Sequence, residues 1–337
     1  LKLTDEDYNK NGLSDLLALE GSSYDLNIKM FNHFQNTITG WPGGKPGADD
    51  STRPERKSPN SKRVIIFSPH PDDDVVSMGG TFDRLVSQGH EVHIAYQVKG
   101  NIAVSDHDAL KFIEVSKDMF KNESKIPVSE LIKELKNNKP DKIDSQAVRD
   151  LKGFIRKREA IAATRYIGIP DSNTHFMNLP FYDTGRIKKN PPTKKDVLIT
   201  ASLIKKIKPH QIFAAGDLED PHGTHKVCLD VILDALDTLK GEKFIKDCWL
   251  WLYRGAWLDW DVHDIDMAVP MSPAQVLRKR KAIFFHQTQK DGVMFQGQDL
   301  REFWVRAEER NSETAEKYKK MGLADYAAIE SFKRHYY

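Results

Sequence analysis

Residues 63–96 read Arg63-Val-Ile-Ile-Phe67-Ser68-Pro-His70-Pro-Asp72-Asp73-Asp74-Val-Val-Ser77-Met78-Gly79-Gly80-Thr81-Phe82-Asp-Arg-Leu85-Val86-Ser-Gln-Gly89-His-Glu91-Val-His-Ile-Ala-Tyr96. Arg63 to Phe67 is a short apolar run of the kind that forms a buried strand. After a polar turn, Met78, Phe82, Leu85 and Val86 share one helical face between Ser77 and Gly89, and the glycine can stop that helix. Glu91 to Tyr96 follows as a second strand. Strand, helix and strand in so short a span make a βαβ unit, whose parallel strands require a right-handed crossover. The chain is therefore expected to be an α/β protein with an open sheet.

The pattern continues downstream. Phe154 to Tyr166 has helical spacing, with Gly168 past its end and Pro170 beyond. Val197 to Ile207 repeats it, Gln211 to Ala215 is a strand, and a helix runs through Val227, Val231, Ile232, Leu236 and Leu239. Val276 to Phe285 and Leu300 to Arg310 read as late helices. Residues 105–150, rich in Lys, Asp, Glu and Asn, are expected to form one or two exposed helices inserted after the second strand. Upstream, Gly40 to Asn60 carries Gly43, Gly44, Pro46, Gly47, Pro54 and Pro59 and reads as a linker. The segment before it has helical apolar positions from Leu13 to Phe34. Residues 1–60 are thus expected as a helical extension and linker, and residues 61–337 as the main domain.

Composition narrows the function. The 51 basic and 49 acidic side chains of the 337-residue chain nearly cancel, at a formal net charge of +2, whereas charge-driven nucleic-acid binding needs a strongly basic face. No nucleic-acid partner is expected. At 39% hydrophobic and 9% aromatic residues the chain can bury a core. No apolar run approaches the ~18 to 20 residues of a membrane helix. Cys228 and Cys248 lie far apart without a CxxC, which excludes a disulfide framework and a thiolate zinc knuckle and points to a reducing, cytoplasmic setting. The opening Leu-Lys-Leu-Thr lacks a Met and any signal pattern, so a processed product or fragment is expected. Neither GxGxxG nor GxxxxGK[ST] is present, so a nucleotide cofactor is not expected.

The chemistry concentrates at two predicted strand ends, where open α/β sheets bind ligands. The first is Ser68-Pro-His70-Pro-Asp72-Asp73-Asp74, one imidazole and three adjacent carboxylates that repel one another unless a cation neutralises them. The second is Gly216-Asp-Leu-Glu-Asp-Pro-His222-Gly-Thr-His225, whose i, i+3 histidines would share one face of a helix start. His70, Asp73 and His225 would supply three protein ligands, the number typical of a catalytic zinc with an open position. Such a nitrogen and oxygen set suits zinc or another first-row divalent ion better than calcium. Asp72 and His222 are left as base and acid beside the metal-bound water. Either motif alone is more often a capped turn or a pair of surface histidines; two motifs at two strand ends favour a metal site. The basic runs Arg186 to Lys189 with Lys194 and Lys195, and Arg278 to Lys281, could hold a phosphate, although a solvated face is the commoner role of such runs. Trp249, Trp251, Trp257 and Trp260 could stack a sugar ring, although burial is the commoner role.

With Gly79-Gly80-Thr81 following it, Pro69-His-Pro-Asp-Asp-Asp74 resembles the zinc-dependent deacetylases of the LmbE/PIG-L family. The helix containing Arg156-Lys-Arg-Glu159 and the late segment Lys281 with His286-Gln-Thr-Gln289 are similar to further family motifs, so the likeness covers about residues 62–290. It implies a Rossmann-like, mostly parallel open sheet with helices on both faces, and removal of acetyl groups from N-acetylglucosamine-type compounds. It also implies His70, Asp73 and His225 as zinc ligands, Asp72 as general base, His222 as the oxyanion-stabilising residue and Arg156 as a substrate contact. The sequence departs from the family pattern at Asp74, where Glu is common, at the HGTH spacing, where HPDH is usual, and at Asp220, where an aromatic can stand. These departures bear on substrate preference more than on metal binding.

Residues 1–50, through Ser23 to His33 and Thr37 to Pro46, resemble the segment joining a glucosamine-6-phosphate deaminase-like half to a deacetylase-like half in long bacterial chains. That likeness implies a covalent deaminase-like domain absent from this sequence. The expected function is a zinc-dependent deacetylase of a small amino-sugar substrate. Its rivals are a catalytically silent carbohydrate-binding or regulatory module and a metal hydrolase of a non-sugar amide.

Overall fold

The computed structural model describes residues 3–48, 59–119, 128–138, 143–186, 188–255, 257–290 and 299–337. The chain opens with helices α1 (Asp5–Lys10), α2 (Ser14–Glu20) and α3 (Ser23–Thr37). Then come β1 (Arg63–Ser68), α4 (Asp73–Ser87), β2 (Glu91–Tyr96), α5 (Asp106–Met119), α6 (Val128–Lys136), α7 (Gln146–Ile167) and β3 (Thr174–Phe176). The second half runs through α8 (Lys194–Ile207), β4 (Gln211–Ala215), α9 (Thr224–Thr238), β5 (Trp249–Tyr253), β6 (Met267–Met271), α10 (Pro273–Ile283), α11 (Phe303–Lys320) and β7 (Ala328–His335).

The strands form one sheet in the order β3-β2-β1-β4-β5-β7-β6. β1 to β5 are parallel, and β7 runs antiparallel between β5 and β6. The sheet is mostly parallel, and its central strands carry continuous apolar runs, Val64 to Phe67, Ile212 to Ala215 and Trp249 to Tyr253, as strands covered on both faces do. Val64 and Ile66 of β1 pack into one core with Val75, Phe82, Ala160, Ala163 and Ile283. Their alternates Ile65 and Phe67 pack into a second core with Ile204, Ile207, Ile232 and Leu236. The expected open α/β architecture is what the chain adopts.

The chain leaves β1 toward β2 and β3 on one side, then returns to β4 on the other. The crevice between the carboxyl ends of β1 and β4 is therefore the switch point at which open sheets bind ligands. Helices α5 and α6 close a small core of their own with α7 around Ile113, Leu131, Leu135 and Val148. Residues 38–48 lie against the main body. The amide of Thr39 donates to Ala268, Gln88 Nε2 to Gly40 and Gln211 Nε2 to Pro42, and a Cβ on Gly43 would overlap the His90 ring. Residues 49–58 of the expected linker fall outside the described residues. Cys228 and Cys248 are buried and unbridged, and among the described residues no helix is long and apolar enough to cross a membrane.

Helix α4 begins at Asp73, four residues before the expected Ser77. Asp73 and Asp74 occupy its first turn, where carboxylates interact favourably with the exposed amides of a helix N-terminus. Its course breaks at Met78 (φ −136°, ψ 27°). There Glu330 of β7 accepts the amides of Gly80 (2.9 Å) and Thr81 (2.6 Å), and Lys279 of α10 completes the cluster with Nζ 2.8 Å from the Glu330 carboxylate.

Candidate metal centre and its cavity

The loop after β1 turns tightly because Ser68 Oγ accepts the Asp74 amide and donates back to the loop at the His70 carbonyl. His70 Nδ1 lies 3.2 Å from Asp73 Oδ2, and the same oxygen accepts the His70 amide at 2.7 Å. The loop after β4 delivers His225 at the start of α9. Its Nε2 stands 3.2 Å from Asp73 Oδ2 and 3.3 Å from His70 Nδ1. The three atoms form a nearly equilateral triangle. Donors ~2.0 to 2.1 Å from a tetrahedral zinc are separated by roughly 3.3 Å, so the triangle has the dimensions of three corners of that polyhedron. The residues fit a divalent ion.

The surroundings orient this set. His225 Nδ1 donates to the Asp217 carbonyl at 2.7 Å, which turns Nε2 toward His70 and Asp73, the usual second support of a metal-binding histidine. Asp220 accepts the amides of Thr224 (2.7 Å) and His225 (3.1 Å) and so fixes the helix start. The Asp217 carboxylate gathers the amides of Gly255, Trp257 and Leu258 and ties down the segment that carries Trp257.

The electrostatics call for a cation. Burial opposes ionisation of Asp73, yet the charge and hydrogen bonds of His225 and His70 outweigh it and hold the carboxyl well below the usual range. Burial likewise opposes protonation of His225, and the Asp73 carboxylate overrides it, pushing the imidazole up to about 10. A proton is thus bound where a metal ion could replace it. Asp74 is fully buried, accepts the Tyr96 hydroxyl at 3.0 Å and is raised by burial to about 7.

Asp72 does not join the triangle. It is buried against Arg156, whose Nη2 donates to Oδ1 at 2.8 Å, and burial raises its carboxyl despite that pairing. Arg156, expected as a substrate contact, therefore spends one arm on Asp72. Its Nε and Nη1 are buried without a partner among the described residues, and it lines the same cavity. His222 also lines the cavity, but from the turn before α9 and not from the helix. Gly223, with φ +64°, separates it from the first helical residue, a conformation a side chain would strain. Burial keeps the His222 imidazole below its ordinary value. The five residues singled out at the two strand ends, with Arg156, all face one cavity.

The sequence did not point to the walls Ile102, Ala103, Tyr182 and Phe303 and left Trp257 among four tryptophans, whereas Gln289 ends the late segment already singled out. Tyr182 meets His70 edge-on, with ring centroids 6.3 Å apart. Glu159 accepts the amide and hydroxyl of Thr288, both at 2.8 Å, so the Arg156–Glu159 turn and the His286–Gln289 segment dock on each other. His286 is buried there with neither ring nitrogen partnered among the described residues. On α10 the buried lysine is Lys279; Lys281 is exposed.

The Rossmann-like sheet thus brings a candidate three-ligand site to its switch point, and comparison with known proteins gives the family. Residues 65–236 match the PIG-L family, described as GlcNAc-PI de-N-acetylase, and the chain belongs to that family. It is also 53% identical over 341 residues to a glucosamine-6-phosphate deaminase-like protein of Bacteroides thetaiotaomicron, a match that takes in 98% of this chain and 51% of the relative. The chain spans about half the length of that curated relative. Similar solved structures include N,N'-diacetylchitobiose deacetylase from Pyrococcus horikoshii, at TM-score 0.49 and 18% identity over 82% of this chain and 84% of that one. GalB, the 4-carboxy-2-hydroxymuconate hydratase from Pseudomonas putida, has TM-score 0.49 and 15% identity over 82% and 97%.

Proposed function

We propose that this chain is a metal-dependent hydrolase that removes the acetyl group from an N-acetylated amino sugar or a conjugate of one. The observation that carries the reading is the triangle of His70 Nδ1, Asp73 Oδ2 and His225 Nε2, with Asp72 held beside it by Arg156. Zinc, or another first-row divalent ion, held by those three side chains would supply Lewis acidity toward the acetyl carbonyl and toward water.

Asp72 takes the proton as water adds to the carbonyl carbon, since it is the carboxylate left outside the ligand set. Arg156 fixes the orientation of Asp72 through its Nη2 hydrogen bond. His222 donates to the oxyanion that develops on the carbonyl oxygen. When the tetrahedral adduct collapses, the C–N bond breaks and the proton on Asp72 passes to the departing amine, giving acetate and a free amino sugar. Trp257, Phe303 and Tyr182 offer aromatic faces to a sugar ring. The family description and the name of the Bacteroides relative support an amino sugar as substrate.

The test is an acetate-release screen over N-acetylglucosamine, its 6-phosphate, and lipid- or thiol-linked conjugates, with and without a chelator. Acetate should be released from at least one of them, stop on chelation and return with zinc. A protein that binds metal yet releases acetate from none of these would be a silent module or a hydrolase of another amide.

A further inference from the structure

Beside Tyr182, a wall of the cavity, an ammonium is held without a counter-ion among the described residues. Lys189 Nζ lies 3.7 Å from the centroid of the Tyr182 ring, which forms part of the cavity wall. Its one hydrogen bond among the described residues is to the Arg186 carbonyl, at 2.7 Å. No carboxylate of a described residue comes within ion-pairing distance. Asp183, the acidic group that acts on it from farther away, is already shared by Lys99 (3.4 Å) and Arg149 (3.8 Å). Lys99 also pairs with Asp150 at 3.2 Å. Three cations, Lys99, Arg149 and Lys189, thus divide two carboxylates, and the surplus charge falls on Lys189.

The described residues on either side of this lysine are tied down by hydrogen bonds. The Thr184 hydroxyl donates to the Arg186 and Lys188 carbonyls and accepts the Arg186 amide, and the Asn190 amide returns to the Phe181 carbonyl at 3.1 Å. Gly185 (φ +68°) packs so closely that a Cβ would stand 2.8 Å from Arg149 Nη1. Burial lowers the Lys189 ammonium to about 8, with Asp183 pulling the other way, so the group is partly desolvated and still charged at neutral pH. A partly desolvated cation without an anionic partner gains most from an anion brought to it. Farther in, Arg156 keeps Nε and Nη1 unpaired and buried at the cavity wall, a second positive group on the same side of the balance.

We infer that Lys189 is a specificity residue that recognises a phosphate ester on the N-acetylated amino sugar. The inference rests on the function proposed above and names the substrate class within it. A compact ammonium acts on a phosphate as a point charge, without the fork geometry that a carboxylate partner would favour. Phosphate on the sugar's terminal carbon and phosphate at its anomeric position share this chemistry, and binding measurements distinguish them.

The experiment is calorimetric binding of glucosamine, glucosamine 6-phosphate and glucosamine 1-phosphate, none of which contains the bond to be broken. One of the two phosphates should bind the unaltered protein about tenfold or more tightly than glucosamine, and the better one identifies the position read. Lys189→Met should remove that preference and Lys189→Arg should keep most of it. In the unaltered protein the preference should shrink as salt is raised, a readout that does not depend on any variant folding. Equal affinity for glucosamine and both phosphates, or a preference unchanged in Lys189→Met, overturns the inference. A phosphate preference that needs Lys189, in a protein that releases no acetate, would uphold the inference and sink the deacetylase reading. Acetate release without any phosphate preference would do the reverse.

Discussion

Helix α4 carries two clusters of buried charge, one at its first turn and one at its kink, and they are built on opposite principles. At the kink, Glu330 accepts the Gly80 and Thr81 amides and the Lys279 ammonium, and Lys279 also reaches Asn311 Oδ1 at 2.8 Å. None of these charged or amide groups is left without a partner, although the Thr81 hydroxyl beside them has none among the described residues. At the first turn, Asp72, Asp73 and Asp74 crowd one corner, and Arg156 keeps two unpaired nitrogens. The charges of the kink cluster are paired within the chain. The first-turn cluster is not complete in this sense, because like charges buried side by side are stable only when a cation or a substrate completes them. Buried charge that satisfies itself is architecture; buried charge that does not is a place for chemistry.

This contrast predicts substitutions that separate activity from stability. Asp72→Asn keeps the shape and cannot accept a proton, so acetate release should fall by about 10² to 10⁴-fold. Its urea midpoint should change little, because removing a like charge beside Asp73 and Asp74 offsets the lost charge pairing with Arg156, to which the amide oxygen can still accept a hydrogen bond; a large loss of stability would make Asp72 architecture as well. Lys279→Met should act in the other sense, costing about 3 to 5 kcal/mol in urea unfolding by leaving Glu330 buried and unpaired. Adding Glu330→Gln should recover part of that loss, and a double variant no more stable than the single would show that the pairing is not what Lys279 contributes. The smallest effect concerns packing at the kink. A Cβ on Gly80 would stand 2.1 Å from Met271 Sδ, so Gly80→Ala should cost about 1 to 3 kcal/mol. Met271→Ala in the same chain should relieve the overlap, and additive losses from the two changes would contradict it.

The first-turn cluster was legible in the sequence because its chemistry is local. His70, Asp72 and Asp73 lie within four residues, His222 and His225 within another four, and the βαβ pattern puts both groups at strand ends on one edge. The start of α4 was missed because three aspartates read as a turn, a preference overridden when their carboxylates meet the helix's free amides. The kink cluster was not legible, since Gly80, Lys279 and Glu330 are joined only by the insertion of antiparallel β7 between β5 and β6. Asp217 was missed for another reason. It orients His225 with its main-chain carbonyl, an atom every residue has. Trp257 and Phe303 reach the cavity from distant segments, and no local spacing marks an aromatic as a wall and not a core residue.

The central claim is that His70, Asp73 and His225 hold a metal ion while Asp72 stands outside the set. Metal content per chain, measured by elemental analysis on the unaltered protein and on Asp72→Asn, Asp73→Asn and His225→Ala after equilibration with zinc, tests it most directly. The account predicts about one ion per chain in the unaltered protein and in Asp72→Asn, and a sharp drop in the other two. Metal retained in His225→Ala and Asp73→Asn, or lost in Asp72→Asn alone, would contradict it.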